Sequence, residues 1–257
     1  MSLHVETRGH GGLPLVCLHG WGLNLRVFDA FEALLAPSHE VHAIDLPGHG
    51  ESDWDPGRAS LDAQAEQIVE ALPPRCALLG WSLGGQLALH IAARWPDRVS
   101  KLVLVATTPR FVAGEGWTAG MPPELMQRFA EQLARDWHAT VDEFLHLQVR
   151  GSREATAALE SLQRALREHG EAHPEALAAG LEILRTADLR EDARAVKADT
   201  LVIAGQHDRI TPASASDWLA AHMPSARVLV VPRAGHAPFL SHAPEFAAAL
   251  AGFLDPP

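Results

Sequence analysis

The sequence predicts an α/β fold: a mostly parallel sheet flanked by helices, with a helical block inserted into it. Three observations carry this expectation. Short apolar runs alternate with helical patterns over the first hundred residues. The runs are continuously apolar rather than alternating, as in strands covered on both faces, and such strands form parallel sheets wrapped by helices. From 110 to 190 the rhythm changes to Ala/Leu/Glu/Arg-rich helical segments without a convincing strand, after which the strand–helix pattern resumes.

Leu15 to His19 reads as the first buried strand, stopped by Gly20. Val41 to Leu46 is the second, ended by the breaker run Pro47-Gly48-His49-Gly50. A helix is expected from Leu61 to Leu72, a strand from Cys76 to Gly80, a helix from Leu83 to Trp95 and a strand from Val99 to Ala106. After the helical block come a strand at Thr200 to Ala204, a helix at Ala213 to His222, a strand at Arg227 to Val231 and a last helix at Pro244 to Leu254. This divides the chain into a core of residues 1–109 and 191–257 and a helical cap of residues 110–190. A block inserted between two strands of one sheet is expected over the strands' C-terminal ends, where open α/β sheets bind ligands.

Composition narrows the function. The chain has 257 residues, 47% hydrophobic and 21% charged, in the globular range. A formal charge of −11 without a Lys/Arg block argues against nucleic acid as partner. No apolar run is long enough to span a bilayer, and the N-terminus lacks the basic-then-apolar order of a secretory signal. Cys17 and Cys76 sit inside apolar strands and read as buried packing residues. The expectation is a cytoplasmic monomer with neither cofactor nor metal, since no metal-ligand spacing or phosphate loop occurs.

Gly80-Trp81-Ser82-Leu83-Gly84 matches G-x-S-x-G, between a buried strand and an apolar helix. Glycines relieve crowding at a turn that holds a serine in a strained conformation with its hydroxyl exposed, so Ser82 is the candidate nucleophile. A serine needs a base and the base an orienting carboxylate. His236 and Asp208 each follow the C-terminal end of a strand, where a side chain can reach the mouth of the turn. His207 competes as base but precedes the acid and reads as a solvent-facing turn residue. Asp45 competes as acid but suits a loop-fixing role before Pro47-Gly48-His49-Gly50. An oxyanion requires backbone N–H donors. Leu83, after the nucleophile, and Trp21, in the loop His19-Gly20-Trp21-Gly22, are the candidates. The Trp21 indole would line the acyl pocket, and His19 would brace the loop.

These segments, with Asp45-Leu46-Pro47-Gly48-His49-Gly50-Glu51-Ser52, resemble the α/β-hydrolase superfamily across essentially the whole chain. More narrowly, Trp81, Phe144-Leu145-His146-Leu147-Gln148, Gly180 to Arg190 and His236 to His242 are similar to the pimeloyl-[acyl-carrier protein] methyl ester esterases of biotin synthesis. The resemblance implies a Ser82–Asp208–His236 triad. It also implies substrate contacts at Trp21, Ser82, Leu83, His236 and the cap segment Phe144, Leu145, His146, Leu147 and Gln148. An acyl-carrier protein is implied as partner, although residues 110–190 hold nine Arg against thirteen Asp and Glu. Arg150, Arg153, Arg164 and Arg167 are the candidate docking residues. A general esterase, a lactonase or a carbon–carbon bond hydrolase would keep the same triad, and a non-catalytic ligand-binding protein of this fold is the alternative of a different class.

Overall fold

The computed structural model describes residues 2–152 and 154–255. Its centre is a seven-stranded sheet of order β1-β3-β2-β4-β5-β6-β7. The strands are β1 (Val5–Arg8), β2 (Leu15–Leu18), β3 (Val41–Ile44), β4 (Cys76–Trp81), β5 (Val99–Val105), β6 (Asp199–Gly205) and β7 (Ala226–Val231). Every pairing is parallel except β1 with β3, which is antiparallel with Val5 opposite Ile44. The strands β2 and β4 are buried along their whole length, which explains their unbroken apolar character.

Two elements were not expected from the pattern. Strand β1 reads Val-Glu-Thr-Arg, a short and largely polar edge strand whose pairing with β3 supplies what its own sequence lacks. Helix α1 (Asp29–Leu35) buries only Phe31, Glu32 and Leu35 and is too short to show a clear period. The expected helices appear as α2 (Leu61–Ala71), α3 (Leu83–Arg94), α9 (Ala213–His222) and α11 (Ala243–Leu254), preceded by the short α10 (Pro238–Ser241).

Between β5 and β6 lie α4 (Pro123–Arg135), α5 (Trp137–Val149), α6 (Ala155–His169), α7 (Pro174–Thr186) and α8 (Arg190–Ala195). Helix α8 packs against α3 and α9, while α4, α5 and α7 pack mainly among themselves and α6 also packs on α10 and the turn Leu25–Phe28. The inserted helices meet the rest of the chain through specific polar ties. Asn24 donates through Nδ2 to the carbonyls of Ala165 (3.0 Å) and Gly170 (2.9 Å). Trp21 donates through Nε1 to the Leu177 carbonyl (2.8 Å), and the His173 amide donates to Gly48 (2.7 Å). These partners lie in loops after β2 and β3, so the insertion is held over the C-terminal ends of those strands.

Candidate active site

Ser82 occupies the turn between β4 and α3 with φ 55° and ψ −116°, a left-handed region that a side chain enters at a cost of about 1–3 kcal/mol. The fold imposes this through close backbone approach. A methyl group at position 80 would collide with the Gly84 carbonyl, and one at position 84 with the carbonyls of Leu18 and His19. The turn is tied down by the Ser82 amide, which donates to Val105 (3.0 Å), and by the Thr107 hydroxyl, which donates to the Ser82 carbonyl (2.7 Å).

Asp208 and His236 come together from the loops after β6 and β7. His236 Nδ1 lies 2.8 Å from Asp208 Oδ2. Asp208 Oδ1 accepts the amides of Ile210 (2.8 Å) and Thr211 (3.0 Å), and Oδ2 accepts the Thr211 hydroxyl (2.6 Å). Burial pushes the Asp208 carboxyl up, but the His236 imidazole and these hydrogen bonds outweigh it and hold the group below the usual carboxylate range. The carboxylate is therefore ionised at neutral pH and fixes a proton on Nδ1. His236 Nε2 is buried and has no hydrogen-bond partner among the described residues. The ring is placed beside the serine turn by Trp81, which donates through Nε1 to the His236 carbonyl (2.9 Å).

The amides of Trp21 and Leu83 have no acceptor among the described residues. Leu83 opens α3, where a helix leaves its first N–H groups unpaired. The two residues approach one another beneath α7, because a methyl group at Gly180 would meet both Trp21 Cδ1 (2.9 Å) and Leu83 Cδ2 (3.0 Å). His19 braces the loop: Nδ1 lies 2.8 Å from the Gly20 carbonyl and Nε2 accepts the Leu46 amide (2.9 Å).

An apolar cleft of about 310 Å³ opens from Trp21 outward, walled by Phe111, Phe129, Phe144, Leu147 and Ile210 among others. The Trp21 ring meets Phe144 edge-on at 5.3 Å and Phe129 at 5.4 Å. Of the five consecutive residues expected to touch substrate, Phe144 and Leu147 line this cleft. Gln148 is buried next to His236, its carbonyl accepting the His236 amide (3.0 Å), and its side-chain amide has no partner among the described residues. Leu145 and His146 do not reach the cleft. Leu145 turns to the groove shared with Leu166, and His146 is exposed, 3.9 Å from Asp142. A helix rotates about 100° per residue, so five successive side chains cannot share one face.

The two competing residues are held by other partners. His207 is exposed and its Nδ1 lies 2.8 Å from the Gly151 carbonyl. Asp45 is buried away from His236, with Oδ1 accepting the Leu25 amide (2.8 Å) and Oδ2 the Glu51 amide (2.9 Å). Both cysteines are buried: burial raises the Cys17 thiol well above its ordinary range and pushes Cys76 up to about 12. Arg150, Arg164 and Arg167 are exposed, and Arg153 lies outside the described residues. Sequence reasoning missed the Thr211 hydroxyl on Asp208, whose only signal was its place three residues after that aspartate.

The family model described as alpha/beta hydrolase fold matches residues 14–243. The chain is 44% identical over 245 residues to the pimeloyl-[acyl-carrier protein] methyl ester esterase of Nitrosomonas europaea, covering 95% of this chain and 96% of that protein. It is 42% identical to the esterase of the same name from Xanthomonas oryzae pv. oryzae, covering 98% of each. Among solved structures, a thermophilic esterase from Thermogutta terrifontis superposes with a TM-score of 0.81 at 27% identity, over 98% of this chain and 92% of that one. An esterase from Exiguobacterium antarcticum gives 0.89 at 24% identity, over 98% and 95%, a likeness of fold. The chain belongs to the α/β-hydrolase family.

Proposed function

We propose that this chain is a serine carboxylesterase that hydrolyses the methyl ester of pimeloyl-acyl-carrier protein in biotin synthesis. The observation that carries the reading is the strained Ser82 turn beside the Asp208–His236 pair, with the Trp21 and Leu83 amides free of an acceptor among the described residues and an apolar cleft that starts at Trp21.

In this reading His236 Nε2 takes the Ser82 proton as Oγ attacks the ester carbonyl, and Asp208 stabilises the imidazolium through Nδ1. The Trp21 and Leu83 amides receive the oxyanion. Methanol leaves with the proton from His236, and water repeats the sequence on the acyl-enzyme. Neither step calls for a metal or cofactor. The cleft takes the methylenes of the acyl chain, each buried CH₂ contributing about 0.8 kcal/mol. Residues 110–190 serve as the cap, Phe144 and Leu147 forming its substrate-facing wall.

The carrier protein docks on the cap's basic residues. Arg164 and Arg167, three apart on α6, share a helix face, and Arg150 follows α5. The protein acts as a cytoplasmic monomer; among the described residues no helix is long and apolar enough to cross a membrane. The test is hydrolysis of methyl pimeloyl-carrier protein against methyl pimelate and short-chain esters, with rates followed against salt. Carrier-bound substrate should win by kcat/KM, with an advantage that shrinks at high salt and on reversing Arg164 and Arg167. A lactone or carbon–carbon substrate turned over faster than any methyl ester would refute the assignment.

A further inference from the structure

Some 15 histidines occur in the chain, and two outside the active site converge with carboxylates from three separate segments. His4 immediately precedes β1, Glu51 lies in the loop after β3, and His169 ends α6 in the inserted helices. His4 Nδ1 is 3.4 Å from Glu51 Oε2, and His169 Nδ1 is 3.5 Å from Glu51 Oε1. The two imidazole rings are tilted against each other with centroids 5.2 Å apart.

We propose that His4, His169 and Glu51 form a binding site for a divalent transition-metal ion of the zinc class, backed by Asp45. The separations are the first reason. A charged N–H···O hydrogen bond closes to about 2.7–2.9 Å, and neither contact here is one. Two ligands each about 2.0–2.2 Å from a tetrahedral ion stand roughly 3.3–3.5 Å apart, the separation that each histidine keeps from one oxygen of Glu51.

The outer contacts are the second reason. A metal-bound histidine usually gives its other ring N–H to a carboxylate, which orients the ring and strengthens it as a donor. His169 Nε2 lies 2.7 Å from Asp45 Oδ2, leaving the Nδ1 lone pair toward Glu51. Asp45 is itself held by the Leu25 and Glu51 amides and is fully buried. His4 has no such outer hydrogen bond: Glu6 Oε1 stands 3.6 Å from its Nε2, and that buried nitrogen has no hydrogen-bond partner among the described residues. Glu6 is in turn paired with Arg26. The donor atoms of His4, Asp45 and His169 lie within 4.8 Å of one another.

Two imidazoles and a carboxylate suit zinc, cobalt or nickel rather than magnesium or calcium. Glu51 is largely exposed, so solvent can complete the coordination. Such an ion would join the N-terminal segment, the loop after β3 and the end of α6, clamping the insertion to the core. It is separate from Ser82 and His236, and the ester reaction does not use it. Residues 4, 51 and 169 have no motif spacing, so only the fold assembles them.

The experiment uses tag-free, chelator-treated full-length protein titrated with Co²⁺, read by ligand-field absorption, and with Zn²⁺, read by calorimetry and melting temperature. One ion per chain is expected in the wild type and in the exposed control His10→Ala. His4→Ala and Glu51→Gln should each weaken binding at least tenfold. Zn²⁺ at a hundredfold excess over its Kd should raise Tm by about 5 °C in the wild type and not in His4→Ala. Absence of a Co²⁺ spectrum in the wild type, or equal affinity in the wild type and His4→Ala, would overturn the site and leave the cluster a hydrogen-bonded brace.

Discussion

Replacing His49 by glutamine tests whether neutral, buried imidazoles hold the His19–Gly22 loop, the candidate oxyanion loop. The His49 ring is 2% exposed. Its Nδ1 lies 3.0 Å from the Pro47 carbonyl, and Nε2 accepts the amide of Gly22 (3.4 Å), the residue after Trp21. Burial pushes the imidazole down to about 4 from its ordinary 6.5, and the hydrogen bond to Pro47 offsets only part of this. Between those two values the unfolded chain binds a proton that the folded chain refuses. The stability is whole above pH 6.5 and is lost as pH falls toward 4, at about 1.4 kcal/mol per unit. From pH 6.5 to 4.5 the His49 contribution is about 2.7 kcal/mol. His49→Gln removes this titration, so urea unfolding at pH 7.5 and 4.5 should show a loss smaller than the wild type's by that amount. Glutamine lacks the rigid ring that spans the Pro47 carbonyl and the Gly22 amide, so the Gly22 tether beside the Trp21 amide slackens. At pH 7.5 kcat on a simple ester should therefore drop about tenfold with KM little changed. Equal acid sensitivity in the two proteins, or an unaltered kcat, would refute the reasoning.

Further expectations bear on the nucleophile, the cleft and the core. Ser82→Ala should lower kcat by about 10⁴–10⁶ with an unchanged melting temperature, measured on an activated ester. Phe144→Ala should cut kcat/KM for seven-carbon methyl esters at least tenfold while acetate esters change less than about threefold, because only the longer chain occupies the wall it removes; a uniform loss would make Phe144 a packing residue. Burial raises Glu32 from 4.5 to about 8 against the opposing pull of Arg8. The folded protein thus holds a proton the unfolded chain releases, and stability falls as pH rises from 4.5 to 8. Glu32→Gln should then gain about 3 kcal/mol at pH 7 and nothing below pH 4.5, read from urea midpoints.

The parts legible in the sequence are those dictated by neighbours along the chain. The turn at Ser82 is in part a local backbone problem: glycine is needed at 80 because the Gly84 carbonyl, four residues on, approaches it, so the motif points to Ser82. The buried strands are equally local in their signature, since enclosure on both faces demands apolar residues at every position. Asp208 and His236 could be chosen because each follows such a strand, which places both at one sheet edge.

Other features depend on partners far away in the chain, and there residue type and spacing carry no information. Polar β1 is a strand because β3 offers it backbone hydrogen bonds, a property of the edge rather than of Val-Glu-Thr-Arg. Leu145 and His146 leave the cleft because the orientation of α5 against α4 and α6 decides which two of five successive residues look inward. Asp45 and Asp208 are chemically identical carboxylates at strand ends. One is bound by Thr211 and His236 and the other by Leu25, Glu51 and His169, and only the packing of loops and helices assigns those donors. The sequence by itself determined the sheet, the turn and the candidate triad side chains, because local sterics and burial leave their mark on it. Tertiary structure alone decided the cleft wall, the hydrogen bonds that set each charge, and the meeting of His4, Glu51 and His169, because those depend on distances between segments that the linear order leaves free.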